Sequence, residues 1–500
     1  MAKPLVCLCL TGKTIEQNLS IVERYQDFID LVELRVDFLE EDERLKIRDF
    51  PSQIEIPAIL TIRRKNDGGL YEEGESSRTM LFARALAFAD DNPKKNFAYV
   101  DFEEDYHIPS LEDAALAFGT KIIRSFHDMK NPVDDIAAKL DSLRQTGYEI
   151  PKIAFMPHSL SDVTKIFKSA EKWKDSEQII CAMGPLGLPT RILSEKIHSY
   201  LSYTSPKELA GNLLEIGHTD PITLSSVYHF HEINSSTKIF GITGFPLKIT
   251  SSPALHNSSF AREKLNGVYI PFKSETIEDA MDFAQTLDIK GFSVTIPHKE
   301  TVLPLLKDVD SKAEEIGACN TVIRQGENWK GYNTDATGFE TALLEFTGLK
   351  NLKGKKVAII GAGGASRAVA YEVKTLGAKA CVFNRTLAKA RLVAEKYGFE
   401  YATLGPESLE KLRKYSDIII QTTSKGMGDC EPSNQNNDPI WFYDFNGKEF
   451  VYDLIYNPEV TPVMARADAS GCAVCNGMSM LRYQGEAQFN FFRKFFTGEN

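Results

Sequence analysis

Charged side chains lie within segments of the sequence that otherwise resemble buried strands. In VELRVD, Glu33, Arg35 and Asp37 alternate with apolar residues, and this alternation places all three on one face of a strand. Lys152 lies in the apolar run PKIAFMP, and His127 ends the run RSFH. A buried lysine has a lowered pKa and can attack a ketone as the neutral amine, while a nearby histidine can move a proton. An internal structural ion pair is the alternative for the first group.

Two arginines extend this set of candidates. Arg63 ends the run AILTIR, and Arg191 follows the glycine-rich segment MGPLGLPT. Guanidinium groups can hold a carboxylate through paired hydrogen bonds. Each residue alone is weak evidence, because a single lysine in a strand is more often a surface group whose stem covers apolar neighbours. Together they predict a site in which an amine attacks a carbonyl and arginines hold a carboxylate.

A second set of candidates lies in the other half of the chain. The sequence GAGGAS follows an apolar strand and precedes a helical run, an arrangement that places a pyrophosphate on a helix N-terminus. The next strand ends in Asn384, Arg385 and Thr386 rather than in a carboxylate, which favours NADP over NAD. Lys299 follows the strand SVTI, and Asp335 lies in GYNTDATG. Such a pair can donate a proton to a ketone that receives hydride, although a lone loop lysine is usually a solvated surface group.

The order of strands and helices predicts what positions the first set. Residues 1–218 alternate apolar runs with helical stretches such as 76–90 and 132–146, which predicts a (β/α)8 barrel whose charged strand face points inward. Residues 219–237 are polar and rich in turn formers, which predicts a linker. The predicted barrel strands are 3–10, 31–39, 58–63, 97–103, 120–126, 151–157, 178–183 and 200–204.

Composition and charge narrow the class of protein. The 500 residues carry 58 Lys and Arg against 69 Asp and Glu, a net charge of −11, which disfavours nucleic-acid binding. No apolar run approaches the roughly 18 residues of a membrane span. Eight scattered cysteines predict reduced thiols, and Cys472 and Cys475 have no second pair with which to bind a metal. We expect a cytoplasmic protein, or a plastid one if a transit peptide has been removed.

The motifs of the first half resemble those of type I 3-dehydroquinate dehydratase. They are ELRVD, TIRRKNDGG, SFHDM, PKIAFMP and the loop GPLGLPTR, and they cover residues 1 to 215. The resemblance implies that Lys152 forms an imine with the C3 ketone of 3-dehydroquinate. It implies that His127 removes the C2 proton and then helps water leave C1, and that Arg191 binds the carboxylate. The other substrate-binding residues that it implies are Glu33, Arg35, Arg63, Asp67, Thr204 and Glu208.

The chain departs from that family in two places. Asp67 stands where the family usually has the longer Glu. The late loop, usually Ser-Ala-Pro-Gly-Gln, is replaced by residues 203–208, in which Thr204 keeps a hydroxyl and Glu208 replaces the amide of Gln. A carboxylate there repels an anionic substrate unless it is protonated or paired, for which Lys207 is a candidate.

Eight motifs of the second half occur in the order found in shikimate dehydrogenases. They are GFPLKITSSPALHN, SVTIPHK, GACNTV, GYNTDATG, GAGGASRA, NRT, DLIYNPEVTP and GMSMLRYQ. The resemblance implies that Lys299 and Asp335 form the catalytic pair. The substrate-binding residues that it implies are Thr250, Ser252, Thr295, Asn320, Tyr456 and Gln484. The cofactor-binding residues that it implies are Gly361, Ala362, Gly363, Gly364, Ala365, Asn384, Arg385, Thr386, Thr423, Met427 and Gly477.

These resemblances predict an α/β protein with two enzymes in one chain. A dehydratase barrel over 1–218 and the linker are followed by a dehydrogenase substrate domain over 238–338, a Rossmann NADP-binding domain over 339–476 and a C-terminal helix over 477–500 that returns to the substrate domain. The expected reactions are dehydration of 3-dehydroquinate to 3-dehydroshikimate and NADPH-dependent reduction of that ketone to shikimate.

Several alternatives stay open at this stage. Thr250 adds a methyl group to the serine usual in the family, so the preference between shikimate and quinate is not fixed. A quinate/shikimate dehydrogenase with a weak or regulatory dehydratase half is one alternative function. A metabolite-binding regulator without catalysis is another. The oligomeric state is also open.

Overall fold

Eight parallel strands form the first sheet of the computed structural model, which describes residues 3–86, 90, 92–209, 217–247 and 250–498. Strands adjacent in sequence pair from β1 to β7, and β8 returns to pair with β1, so the sheet curls into a nearly closed barrel. The predicted (β/α)8 barrel is confirmed. Its strands are β1 (Leu5–Leu10), β2 (Leu31–Arg35), β3 (Ala58–Thr61), β4 (Tyr99–Glu103), β5 (Lys121–Asp128), β6 (Glu149–Phe155), β7 (Ile179–Ala182) and β8 (Leu201–Thr204).

Helices connect the barrel strands. Side-chain caps begin two of them, because Thr14 accepts from the Gln17 amide at 3.1 Å and Asp135 accepts from the Ala138 amide at 3.0 Å. The predicted helical stretches correspond to α2 and α4, and residues 87–89 of the first stretch lie outside the described residues. The helices are α1 (Ile15–Tyr25), α2 (Glu75–Leu86), α3 (Pro109–Ala117), α4 (Ile136–Ser142), α5 (Leu160–Ser169) and α6 (Leu188–Ile192).

The barrel interior has an apolar end and a charged end. Leu31 of β2 and Ile150 of β6 belong to an apolar cluster near the point where the strands begin. Two residues further along the same strands, on the same face, lie Glu33 and Lys152. The sites of parallel barrels lie at the carboxyl ends of the strands, so the charged end is where a site is expected.

The segment predicted as a linker contains a short helix, α7 (Pro221–Ser226). Asp220 caps it by accepting from the Thr223 amide at 2.9 Å, and proline occupies the first position, where no amide donor is needed. Leu224 and Phe230 are buried and anchor the segment. The composition did not reveal this helix, because six residues are too few to show a helical period.

The chain forms two compact units, residues 1–289 and 290–500. The first unit continues beyond α7 with a pair of parallel strands and two helices. Helix α5 of the barrel packs against α9, where the rings of Phe167 and Phe283 lie 5.7 Å apart and Lys168 Nζ lies 2.9 Å from Asp282. These elements are β9 (Lys238–Thr243), α8 (Ser252–Arg262), β10 (Gly267–Pro271) and α9 (Ile277–Thr286).

The second unit contains a four-strand group and a six-stranded parallel sheet. The first group has the order β11-β13-β14-β12, with β13 antiparallel to both of its neighbours. It consists of β11 (Gly291–Val294), β12 (Asp308–Val309), β13 (Thr321–Gln325) and β14 (Asn328–Tyr332). Helix α10 (Ser311–Ile316) lies between β12 and β13 in the sequence, and α11 (Thr334–Thr347) follows β14.

The parallel sheet has the order β17-β16-β15-β18-β19-β20, which is a Rossmann-type arrangement and confirms the predicted dinucleotide-binding fold. Its strands are β15 (Lys356–Ile360), β16 (Lys379–Asn384), β17 (Glu400–Thr403), β18 (Ile418–Gln421), β19 (Phe450–Asp453) and β20 (Ala473–Cys475). Its helices are α12 (Gly364–Thr375), α13 (Leu387–Tyr397), α14 (Leu409–Lys414) and α15 (Pro462–Ala469). No helix in the described part of the chain is long and apolar enough to cross a membrane.

The C-terminal helix α16 (Met478–Thr497) packs closely against α11. A Cβ at Gly338 of α11 would lie 2.7 Å from the backbone nitrogen of Gln484 and 2.9 Å from the Cα of that residue. The contact therefore involves the backbone of α16 and requires glycine. Further along α16, Gln488 bonds to Ser293 of β11 at 3.0 Å and to Thr321 of β13 at 2.9 Å.

We predict that Gly338→Ala destabilises the second unit, because backbone atoms cannot yield as a flexible side chain can. The expected cost is about 1–3 kcal/mol in the free energy of unfolding. Calorimetric unfolding of the full chain measures it. The exposed helix position Thr341 provides the control, since Thr341→Ala should cost no more than about 0.5 kcal/mol. An unchanged unfolding midpoint in the glycine variant would contradict the proposed constraint.

Candidate active sites

A cavity opens at the charged end of the barrel, at the carboxyl ends of its strands. Seven of the side chains predicted from the sequence line it. They come from β2, from the segment after β3, and from β5, β6 and α6. They are Glu33, Arg35, Arg63, Asp67, His127, Lys152 and Arg191.

Lys152 lines this cavity and is only 4% exposed. Its Nζ donates to Asp101 Oδ2 at 2.8 Å, lies 3.6 Å from Glu33 Oε1 and lies 4.4 Å from the ring centroid of Tyr203. Burial lowers the pKa of Lys152, but Asp101 and Glu33 raise it more, and the net shift is upward. The expectation of a lowered pKa is therefore wrong, because burial brings the lysine into contact with two carboxylates.

Asp101 belongs to a buried network that the sequence analysis missed. Arg63 NH2 lies 2.8 Å from Asp101 Oδ1, and Arg63 NH1 donates to Glu103 at 2.8 Å. Burial raises the pKa of Asp101, but Arg63 and Lys152 lower it by more. The net shift is downward, so the carboxyl group is held ionised. Glu103 also pairs with the fully buried Arg78 of α2. The segment YVDFE contained the signal, because Tyr99, Asp101 and Glu103 alternate along β4 as the residues of VELRVD do along β2.

His127 is positioned to accept a proton. Its Nδ1 is buried and has no hydrogen-bond partner within the described part of the chain. Burial, Arg63 and Lys152 hold the pKa of His127 well below its usual range, so the ring is neutral near pH 7. A neutral imidazole beside a protonated lysine can take up the proton that the lysine must lose before it attacks a carbonyl.

Two of the predicted substrate contacts lie away from the cavity lining. Thr204 alternates with the lining residue Tyr203 along β8, so its hydroxyl turns outward and donates to the Cys7 carbonyl at 2.9 Å. Glu208 pairs with Arg24 rather than with Lys207 and accepts from the Tyr25 hydroxyl at 2.9 Å. A cation outside the cavity therefore satisfies this carboxylate, and its expected repulsion of an anionic substrate is removed.

The second unit brings Lys299 and Asp335 together. Lys299 Nζ donates to Asp335 Oδ2 at 2.5 Å, and Asn320 Nδ2 donates to Asp335 Oδ1 at 2.8 Å. Asp335 lies in the first turn of α11, where the helix dipole favours an anion, and Asn333 caps this helix by accepting from the Ala336 amide at 3.1 Å. The carboxylate is thus fixed from two sides and orients the ammonium group.

The glycine turn between β15 and α12 lies beside this pair. Gly361 has a φ of +116°, and a Cβ there would lie 2.4 Å from Thr422 Oγ1 and 3.0 Å from Thr423 Cγ2. A Cβ at Gly363 would meet no described atom within 4 Å, so this part of the turn is open. A Cβ at Gly364 would lie 4.0 Å from Lys299 Cδ. The turn leaves room for a dinucleotide and lies next to the lysine.

The strand beside β15 carries the remaining dinucleotide candidates. At the end of β16, Asn384 Nδ2 donates to the Thr386 carbonyl at 3.0 Å, and Arg385 is exposed. Met427, after β18, is 57% exposed and available for contact. Gly477 donates its amide to the Ile455 carbonyl at 2.9 Å.

The remaining substrate candidates lie at several places in the two units. Gln484 is buried on α16, and Tyr456 is partly buried after β19. Thr295 follows β11, and its carbonyl accepts from the His298 amide at 2.9 Å. In the first unit, Thr250 donates its hydroxyl to Ser252 at 3.1 Å at the start of α8.

The fold and these sites define a protein with a lysine-centred barrel enzyme and a dinucleotide-dependent oxidoreductase in one chain. Family models agree with this class. The model of type I 3-dehydroquinase matches residues 6–235, that of the shikimate dehydrogenase substrate binding domain matches 242–322, and that of shikimate / quinate 5-dehydrogenase matches 343–427.

Relatives extend the match over almost the whole chain. The chain is 30% identical over 512 residues to the chloroplastic bifunctional 3-dehydroquinate dehydratase/shikimate dehydrogenase of Arabidopsis thaliana, with 98% of this chain and 82% of the relative covered. It is 40% identical over 279 residues to the shikimate dehydrogenase (NADP(+)) of Caldanaerobacter subterraneus subsp. tengcongensis, with 54% of this chain and 98% of the relative covered. The chain belongs to the family of bifunctional 3-dehydroquinate dehydratase/shikimate dehydrogenases.

A solved structure also matches the second half. The crystal structure of shikimate dehydrogenase from Aquifex aeolicus is 35% identical in sequence and covers 53% of this chain and 94% of its own, with a TM-score of 0.47.

We predict that Asp101→Asn lowers the pKa of Lys152, because the main carboxylate partner of its ammonium group is lost. Free amine would then exist at lower pH, so the acid limb of the pH profile of imine formation should move to lower pH. Quenching single turnovers with borohydride at a series of pH values measures this limb. The control is Asp141→Asn, at a carboxylate whose side chain is 80% exposed. A limb that stays in place would contradict the assigned role of Asp101.

Proposed function

We propose that this chain catalyses the dehydration of 3-dehydroquinate to 3-dehydroshikimate and then the NADPH-dependent reduction of that ketone to shikimate. The observation that carries the proposal is the pairing of each of two lysines with a carboxylate in a setting suited to its reaction. Lys152 contacts Asp101 inside a cavity that neutral His127 also lines. Lys299 contacts Asp335 beside an open glycine turn.

The dehydration begins with loss of the Lys152 proton, which neutral His127 can accept. The free amine attacks the C3 ketone, and protonated His127 returns its proton to the hydroxyl formed there. That hydroxyl leaves as water as the protonated imine forms, and His127 is neutral again. This cation replaces the ammonium group beside Asp101 and Glu33, so the same two carboxylates stabilise both charged forms. The exchange of ammonium for protonated imine therefore leaves the positive charge beside these carboxylates unchanged.

The protonated imine makes the C2 proton acidic, because the electron pair left on carbon can move towards the cationic nitrogen. His127 accepts that proton and later returns it to the C1 hydroxyl, which departs as water. Water then hydrolyses the imine and releases Lys152. Arg191, which is buried in the cavity lining, is proposed to hold the substrate carboxylate during these steps.

In the reduction, bound NADPH supplies a hydride to the carbonyl carbon of 3-dehydroshikimate. Lys299 donates a proton to the carbonyl oxygen as negative charge develops there, and Asp335 orients its ammonium group. Asn320 keeps the carboxylate in place through its 2.8 Å hydrogen bond. The side chain of Lys299 remains 18% exposed, so it can regain a proton from solvent after each turnover.

The residues of the glycine turn fit the pyrophosphate of the dinucleotide, because the turn is open at Gly363 and begins a 12-residue helix. Arg385, which stands between Asn384 and Thr386 in the sequence, is proposed to pair with the 2′-phosphate of NADP. Thr423 and Met427 are proposed to line the nicotinamide side. The proposed contacts to the shikimate carboxylate and hydroxyls are Thr250, Ser252, Thr295, Asn320, Tyr456 and Gln484.

We predict that the two lysines can be inactivated separately. Lys152→Ala should abolish dehydration and the borohydride-trapped adduct with 3-dehydroquinate, and it should leave shikimate oxidation within about twofold of wild type. Lys299→Met should lower shikimate kcat by at least about a hundredfold, the lower range of general acid catalysis, and leave dehydration unchanged. Steady-state assays of both reactions on each purified chain supply the matched controls. An adduct that survives Lys152→Ala would overturn the imine assignment.

We predict that Arg385→Ala weakens the use of NADP much more than the use of NAD. A charged hydrogen bond to a phosphate contributes about 1.5–3 kcal/mol, so kcat/KM for NADP should fall at least about tenfold. The value for NAD, which lacks that phosphate, should change less than about twofold. The control is Arg413→Ala, on the surface of α14, where Arg413 pairs with Glu410. Equal losses with both cofactors would remove the phosphate contact from the proposal.

A further inference from the structure

His218 lines the dehydratase cavity, although its position in the sequence gave no sign of this. It follows residues 210–216, which lie outside the described part of the chain, and precedes the cap of α7. The resemblance to the dehydratase family implied no role for His218. His218 reaches the cavity near the end of β8. Thr204 and Glu208, which the resemblance implied as substrate contacts in this region, turn away from the cavity.

Close contacts fix the backbone on both sides of His218. A Cβ at Gly217, which has a φ of +81°, would lie 2.3 Å from the Gly184 carbonyl oxygen, so this glycine packs directly on the segment after β7. On the other side, the Ser205 amide donates to the Thr219 carbonyl at 3.1 Å, at the end of β8. The histidine is thus held by the barrel itself.

The imidazole ring is oriented by two neighbours. Its Nδ1 lies 2.6 Å from Ser205 Oγ, and its ring stacks on Tyr203 with centroids 6.4 Å apart and planes 15° from parallel. Because Nδ1 is engaged by Ser205, Nε2 is the atom through which the ring can bind a ligand. Tyr203 also connects the ring to Arg191, since Arg191 NH1 donates to the Tyr203 carbonyl at 3.3 Å.

We propose that His218 is a substrate-binding residue of the dehydratase, and that its Nε2 hydrogen-bonds the substrate carboxylate beside Arg191. The inference rests on the dehydratase function proposed above. It assigns to His218 the polar contact that the sequence comparison expected from Glu208.

The charges around His218 suit a neutral donor. Burial, Arg191, Arg35 and Lys152 hold the pKa of His218 well below its usual range. A neutral ring adds a hydrogen bond without placing a further cation beside the guanidinium groups. The proposed role requires the tautomer in which Ser205 donates to Nδ1 and Nε2 carries the proton that is donated to a carboxylate oxygen.

The test compares His218→Ala, His218→Gln and the control His231→Ala in the full bifunctional chain. His231 has a side chain 44% exposed, and its ring lies 3.4 Å from Asp30. The alanine variant should raise KM for 3-dehydroquinate about tenfold, the effect of losing one hydrogen bond to a charged group, with kcat within about threefold of wild type. The glutamine variant should recover KM to within about threefold, because its amide also donates.

The unfolding midpoint of each variant reports whether the barrel has folded, and its dehydrogenase activity reports on the second half of the chain. A purely structural role for His218 would lower the unfolding midpoint and would not be rescued by glutamine. A KM within twofold of wild type in His218→Ala, or equal losses with alanine and glutamine, would overturn the inference. An inactive wild-type dehydratase would instead defeat the proposed function, so the two failures can be told apart.

Discussion

The ion pair between Lys152 and Asp101 is the interaction on which the barrel site depends. An ammonium group inside a barrel must be balanced, because an unpaired buried charge costs several kcal/mol. Asp101 provides that balance, and it is itself held by Arg63, which in turn contacts Glu103. The buried lysine therefore requires a whole layer of alternating charges, and the apolar side chains of the adjacent layer support it.

In the proposed mechanism, the same pair of functional groups, a lysine and a carboxylate, serves two different reactions. The Lys152 side chain is 6% exposed, and in the proposed dehydration its nitrogen becomes part of a covalent cation that must stay paired throughout the cycle. The Lys299 side chain is 18% exposed beside Asp335, and in the proposed reduction it only has to donate a proton and recover it. The burial of each lysine accordingly suits its proposed reaction. A covalent intermediate needs protection from water, whereas a proton donor needs access to water.

Periodic patterns were sufficient to predict the barrel strands and the Rossmann-type sheet, because alternation and glycine turns leave direct traces in the sequence. The pairing of Lys299 with Asp335 was predictable from motif order. The upward pKa shift of Lys152 was not, since it depends on Asp101, which comes from a strand 51 residues earlier in the sequence. The position of Glu208 depends on Arg24, 184 residues away. Long-range pairs of this kind have no local signature.

The packing of α5 against α9 ties the barrel to the chain that follows it. Phe283 is fully buried, and its ring meets Phe167 edge to face. Separating the chain after residue 237 would remove this contact and leave apolar surface on both fragments. The junction between the two enzymes is thus a packed interface as well as a covalent connection, so a gene that encoded the halves separately would first have to acquire polar residues at these positions.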